Sequence, residues 1–533
     1  MAITRRQFVQ SSFIAGAGLM LGSSKPYPKV TSASLFGVNP FILQHSDAVF
    51  IMKTNVNDKT NSTAIKSAAL DFGRSVFGLT ENTDEGIPLT HKIVIKPNLT
   101  CRSRTSSKYT VLGSMGIVTD AFFVEGIIES LKELGIPAGQ FYIREVNCPE
   151  DFNDGGYISM AGRTGIDLQG IDTPAKDLNP NQVQWVAVPD GVWFKKIPYL
   201  WPVNAPDTLL LNISKFKAHG MGLTLCAKNL QGTIAMNYQA HCTAYGNTMD
   251  GVNPVHLNPT ENADILRSYN RHVSIGIPRW DRPGSEGGIW METWATRCLD
   301  NNSVTFAGLH IIEGIYGRDG NFLDGPNDQS MATDYMTNYI IFGRNQFYVD
   351  IVGHYLAGHE PGNFGLFHMA RERKMISTVN PMDIPVYEWN TSTGPLLTTL
   401  SAFQRYPLET YYLQRDYNGQ NEPKWHLVDE YYDYNGTGIE DVPGNQNGFY
   451  IHQNFPNPVR NSTSINFHIP CNGHVSIEII NDSGQVIDVP VNKQLAYGDH
   501  SISWNSCNAP SGLYMYRMQF GGSSKVQKMM ILH

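Results

Sequence analysis

The segment from Asp207 to Gly232 constrains the fold more than any other stretch of the chain. It opens with an unbroken apolar run, Thr208–Ile213, the pattern of a strand buried on both faces by covering helices. The run continues into Lys215, Lys217 and His219. If the extended geometry persists, these three side chains point to one side, because a strand has period two. Gly220 and Gly222 then permit a tight turn and close approach of a ligand. A short helical pattern carries Lys228 and Asn229 before Gly232. Cations at the carboxyl end of a strand, facing a helix N-terminus, make an anion site in an open α/β sheet.

A second buried strand is read from Lys92 to Ile95, with Lys96, Pro97 and Asn98 closing it, since proline ends a strand. A helix is expected from about Asp120 to Leu134. Phe123, Val124, Ile127, Ile128 and Leu131 share one face, Thr119 can cap its start, and Gly135 can end it. Another strand follows at Gln140–Val146 and carries Glu145. This β-α-β rhythm predicts an α/β domain over residues 45–435, a large mixed or parallel sheet with flanking helices. Further on, an apolar strand from Leu309 ends in Glu313 and Gly314, with Asp319 shortly after. Asn338–Phe342 leads into a helix over Ile351–Ala357, where Asp350 reads as a capping residue. An acid at a strand end beside a glycine turn can ligate a hard metal, act as a general base or cap a helix.

Lysines are ordinarily solvated surface charges. Three cations at alternating positions beside a glycine turn argue for a site instead. The candidate catalytic residues are His219, Glu313 and Lys217. Lys96, Asn98, Lys215, Lys228 and Asn229 are the candidates for holding an anionic substrate. Glu313, Asp319 and Glu145 are the candidate ligands of a divalent metal.

The two ends of the chain read as addresses. Arg5 and Arg6 precede Phe8 and a weakly apolar stretch from Phe13 to Gly22. That stretch is too short to span a bilayer core of about 30 Å at about 1.5 Å per residue. Residues 1–24 resemble a twin-arginine signal peptide. Removing them takes away two arginines and no acids and moves the net charge from −8 to −10. No apolar run reaches membrane-spanning length, and a mildly acidic chain without a basic tail argues against a nucleic-acid partner. Residues 436–449 form a Gly/Asn/Pro linker. Beyond it, short alternating strands near Ser464–Ile469, Val475–Ile480, His500–Trp504, Leu513–Phe520 and Lys525–Leu532 predict a β-sandwich over residues 450–533. The seven cysteines show no C-x-x-C spacing, so no iron–sulfur cluster motif is present. Cys471 and Cys507 share the C-terminal module and could pair, and Cys226 reads as a buried free thiol.

Two resemblances follow from these motifs. Gln453 to Pro458, Ser511 to Tyr514 and Lys528 to Leu532 resemble the type IX secretion sorting domain. That implies passage across the outer membrane of a Bacteroidetes-like bacterium, after twin-arginine export to the periplasm, and a secreted or surface location. Val94 to Leu99, Asn212 to His219, Ala227 to Gly232, Glu313-Gly314 and Tyr348 to Asp350 resemble the family catalogued as domain of unknown function 362. Many members carry a cysteine-rich ferredoxin-like segment, which this chain lacks. The expectation is an exported protein that binds or transforms an anionic small molecule in a Lys/His/acid cleft. The alternatives are a non-catalytic, surface-displayed binding protein, with Tyr411, Tyr412, Trp425, Tyr431, Tyr432 and Tyr434 as a contact surface, or a redox partner holding an external cofactor.

Overall fold

A computed structural model of the chain describes residues 35–99, 107–146, 149–170, 179–223, 225–235, 261–281, 289–327, 330–415, 425–428, 430–434, 449–451, 454, 456–469, 472–496, 498–506, 509–521 and 523–532. Residues 1–24, read as a signal peptide, the linker up to residue 448, Cys101, Cys148, Cys242, Cys471 and Cys507 lie outside these residues. The chain forms two compact units. One comprises Met1–Asp416 with Glu422–Tyr432, the other Tyr417–Asn421 with Asp433–His533.

The first unit is built on a mixed sheet. Its strands in chain order are β1 (Val49–Lys53), β2 (Lys92–Pro97), β3 (Phe141–Glu145), β4 (Asp167–Gly170), β5 (Thr208–His219), β6 (Leu309–Arg318), β7 (Tyr339–Gly343), β8 (Val386–Asn390) and β9 (Gly394–Thr398). They lie side by side as β9-β8-β1-β7-β6-β5-β2-β3-β4. From β6 to β4 every neighbouring pair is parallel. β7 runs antiparallel to both β6 and β1.

The unbroken apolar runs have a direct cause. Ile93 and Ile95 of β2, with Leu209 and Leu211 of β5, pack into one core together with Phe123 and Ile127. The alternate residues Val94 and Leu210 pack into a second core with Leu230, Ile234 and Trp193. Both faces of the strands are therefore dry, and period-two polarity is absent. The first face is covered by α1 (Ser62–Val76) and α2 (Ala121–Glu133). They approach so closely that a Cβ on Gly126 would stand 2.4 Å from the Lys66 carbonyl oxygen.

Several local expectations are corrected. Asp120, not Thr119, caps α2, its carboxylate accepting from Phe122 N at 2.8 Å. Thr119 is engaged elsewhere: its hydroxyl donates to Ile213 O and accepts from Asn98 N. Gly135, at φ +98°, follows the helix end as expected. β6 does not stop at Glu313; it runs on to Arg318, so this acid lies inside the strand. The helix expected from Ile351 is α5 (Gln346–Leu356), capped by Asn345, so Asp350 sits in its interior.

The second unit contains two antiparallel sheets. Tyr450–Ile451, Ser462–Ile469 and Gly498–Asn505 form one; Val486–Leu495, Gly473–Ile480, Gly512–Phe520 and Ser523–Ile531 form the other. Ile465, Phe467, Val475, Ile477, Tyr516 and Met518 share one core, the sandwich predicted from the alternating pattern. Asn454 closes it, its backbone N donating to Tyr516 Oη at 2.7 Å and its amide to Thr463 Oγ1 at 2.8 Å.

Candidate functional site

The extended geometry of β5 persists through His219, and its cations gather at the carboxyl end of the parallel block. They are not arrayed as free charges. Lys215 is fully buried beside Glu313, its direct partner across the parallel ladder, with Nζ 2.7 and 2.9 Å from the two carboxylate oxygens. The ammonium also lies 3.3 Å from the centre of the Tyr316 ring. Tyr316 Oη donates to Asp120 Oδ2 at 2.9 Å, and Asp120 N donates to Glu313 Oε2 at 3.3 Å. Burial pushes the Glu313 carboxyl up to about 7, a shift that Lys215 opposes and Asp120 reinforces. Burial likewise lowers the Lys215 ammonium, which Glu313 opposes. Burial thus works against both charges while the pairing sustains them, and the two groups share one proton across a short contact.

Lys217 is buried two residues further on. It donates to Ile117 O and lies 5.4 Å from the Phe322 ring centre. His219 is half-buried, its ring edge-on to Phe322 at 5.0 Å. The strand therefore delivers a graded series: a sealed pair, a covered amine and a partly open imidazole.

The second cluster is built on β2 and β3. Lys96 Nζ lies 2.6 Å from Glu145 Oε2, 3.0 Å from Asn229 Oδ1 and 2.5 Å from Pro97 O. Backbone N–H groups of Leu99 and Val146 donate to the Glu145 carboxylate at 3.2 and 2.9 Å. Burial lowers the Lys96 amine and raises the Glu145 carboxyl, and each opposes the shift of the other. Asn229 belongs to α4 (Cys226–Asn229), whose first N–H groups, Cys226 N and Ala227 N, donate to Asp350 at 2.7 and 2.8 Å. Asp350 is thus a cap, as its residue type suggested, but of α4 rather than of its own helix. Burial drives its carboxyl up to about 7. Lys228 is half-buried and its charge helps to depress the Lys96 amine. Asn98 is nearly buried at the end of β2, with Oδ1 unpartnered.

Tyr157, from α3 (Tyr157–Thr164), lies between the clusters. Burial raises its phenol, reinforced by Asp120, Glu313 and Glu145, and Oη donates to Thr119 O at 3.0 Å. Asp120, Tyr316 and Tyr157 are site residues the sequence motifs did not single out. Only Asp120 carried a signal, as a helix-start acid.

The three candidate metal ligands are not brought together. Glu313 is held by Lys215, Glu145 by Lys96, and Asp319 accepts from Thr333 N at 2.6 Å. Among the described residues no group of three His, Cys, Asp or Glu side chains is placed to hold a metal ion. Cys226 is a buried free thiol, and Cys298 is buried with Sγ donating to Ala227 O at 3.7 Å. Of the aromatic segment, Trp425 is buried, with Arg415 3.9 Å from its ring centre, and Tyr432 packs on His368. Those two rings cover the core; Tyr431 remains exposed.

Residues 93–354 match the family described as Domain of unknown function (DUF362), and residues 453–532 match the secretion system C-terminal sorting domain. Residues 93–354 thus form a domain similar to that family, and the C-terminal end carries a type IX sorting module. No curated protein matches it. Two solved structures show short likenesses. One is PorZ, a bacterial surface component of the type IX secretion system of Porphyromonas gingivalis, at 19% identity and TM-score 0.12, over 16% of this chain and 12% of that one. The other is the Ig1 domain of mouse SynCAM 2, at 17% identity and TM-score 0.11, over 13% of this chain and 80% of that one. The sorting module makes this an exported protein, secreted or held at the outer-membrane surface, and an interactor of the type IX machinery. No helix among the described residues is long and apolar enough to cross a membrane.

Proposed function

We propose that this exported protein binds and transforms an anionic small molecule at the carboxyl end of β5 and β6, with Glu313 as the acid–base group. The observation that carries this reading is the sealed Lys215–Glu313 pair set beside Lys217 and the partly open His219. A carboxyl poised near neutrality can both take and return a proton at working pH. Lys215 balances its charge, and Asp120 and Tyr316 hold the pair in place. Lys217 and His219 supply the cationic contacts to the ligand, with Lys228 as a further half-open charge. No metal is needed for these roles.

The test is a ligand panel of inorganic phosphate, sulfate, small carboxylates and sugar phosphates, read by thermal shift and calorimetry. At least one anion is expected to stabilise the wild type in a saturable way. Lys217→Met and His219→Gln should weaken that binding at least tenfold, while Glu313→Gln leaves binding largely intact and abolishes turnover. Equal binding of every anion by wild type and both variants would overturn the reading.

A further inference from the structure

The Lys96 cluster holds three functional groups in an arrangement with its own chemistry. A primary amine, a primary amide and a carboxyl are all buried, with exposures of 1%, 3% and 5% for Lys96, Asn229 and Glu145. Lys96 Nζ stands 3.0 Å from the Asn229 carbonyl oxygen, and the carbonyl carbon is one bond of about 1.2 Å beyond it. The amide is clamped in this orientation, because its Nδ2 donates to Lys96 O at 3.0 Å and to Asn212 Oδ1 at 2.8 Å. Glu145 Oε2 touches the amine at 2.6 Å. The backbone closes over all of this: a Cβ on Gly232 would fall 2.1 Å from Glu145 Oε1 and 2.6 Å from Lys96 Cε.

We propose that Lys96 and Asn229 are joined by an intramolecular isopeptide bond, formed within the folded chain with Glu145 as the proton carrier. The neutral amine attacks Cγ of Asn229, forming the new C–N bond as the carbonyl π pair moves onto Oδ1. Glu145, starting as the acid, delivers its proton to the amide nitrogen, and the carboxylate left behind takes the proton that Nζ gives up. The tetrahedral centre then collapses, the Cγ–Nδ2 bond breaks, and ammonia leaves. Nothing is oxidised or reduced, no co-reactant is consumed, and Glu145 is returned unchanged. Burial works against the ammonium of Lys96 and the carboxylate of Glu145, which shifts the pair towards the neutral amine and the acid that the reaction starts from. Exclusion of water leaves the amine as the nucleophile nearest the amide.

The bond would tie the end of β2 to α4 across 133 positions of the chain. Such a tie restricts the unfolded chain much as a long-loop disulfide does, without depending on redox conditions. That suits a protein held outside the cell. It also removes Lys96 and Asn229 from ligand binding. The chemistry assigned to Glu313 uses neither residue, so either account can fail without the other.

Peptide mapping of the folded full chain tests it. After trypsin, the fragment covering residues 93–102 should appear joined to that covering 229–267, with a mass about 17 Da below their sum, the loss of one ammonia. The separate fragments should be nearly absent. Glu145→Gln should restore both. Separate, unmodified fragments from the wild type would overturn the proposal, as would aspartate at position 229 in place of a link. A link surviving Glu145→Gln would overturn the role of Glu145. Should that variant not fold, the wild-type digest alone decides the bond.

Discussion

Two buried lysine–glutamate pairs bridge neighbouring parallel strands, one within β5 and β6 and one near the carboxyl ends of β2 and β3, and they are differently furnished. Lys215–Glu313 is enclosed by Tyr316 and Asp120, which offer a ring face and a second acid. Lys96–Glu145 is enclosed by Asn229, Gly232 and two backbone N–H donors. In both, burial drives amine and carboxyl towards their neutral forms. What differs is the third partner. An acid beside the first pair makes it a proton store, whereas an amide beside the second gives the amine something to attack. Pairing alone therefore does not set the chemistry of a buried lysine.

The largest expected effect separates pairing from burial. Glu313→Ala leaves Lys215 buried without its counter-charge and should cost about 3–5 kcal/mol, read from the urea midpoint. The double variant Lys215→Met with Glu313→Leu should cost far less, because no charge is stranded. Equal losses in the two would break the comparison, since packing rather than charge would then dominate. Next in size is Gly232→Ala, which pushes a methyl into Glu145 and Lys96 and should cost about 1–3 kcal/mol by overpacking. Under the cross-link account it also raises the unlinked fraction. Asp350→Asn should cost about 1 kcal/mol through weaker capping of α4, with little effect on the Lys215 pair.

The pH dependence sharpens the same contrast. Folding raises the Glu313 carboxyl from its ordinary 4.5 to about 7, so the folded chain binds more protons between those values. The resulting stability is fully present below about pH 4.5 and is lost as pH rises through about 7. Asp350 acts in the same direction. Denaturation midpoints measured from pH 4.5 to 8 should fall with pH, and Glu313→Gln should flatten the slope.

Much of the scaffold was legible because it depends on local pattern. Ile93 to Ile95 and Thr208 to Ile213 announce two-sided burial, and the C-terminal alternation announces a half-buried sheet. The site was legible only as a list of residues. Lysine is ordinarily a surface residue, and Lys96, Lys215 and Lys217 are buried because carboxylates and carbonyls from distant segments reach them. Glu313 read as a strand end, yet Ile315 and Tyr316 carry β6 onwards beneath cover. Thr119 and Asp120 are both cap-competent, and the choice falls to Asp120 because Thr119 is drawn to Ile213 and Asn98. Asp350 shows the limit most simply: its residue type predicted capping, but the helix it caps begins 124 positions earlier.

The central claim is that Glu313 is a buried acid poised near neutrality. Carbon-13 labelling of glutamate, with the Glu313 carboxyl assigned by Glu313→Gln, allows its titration to be followed directly. A midpoint near pH 7 is the predicted result. A midpoint in the ordinary carboxylate range, about 4.3, would contradict the account.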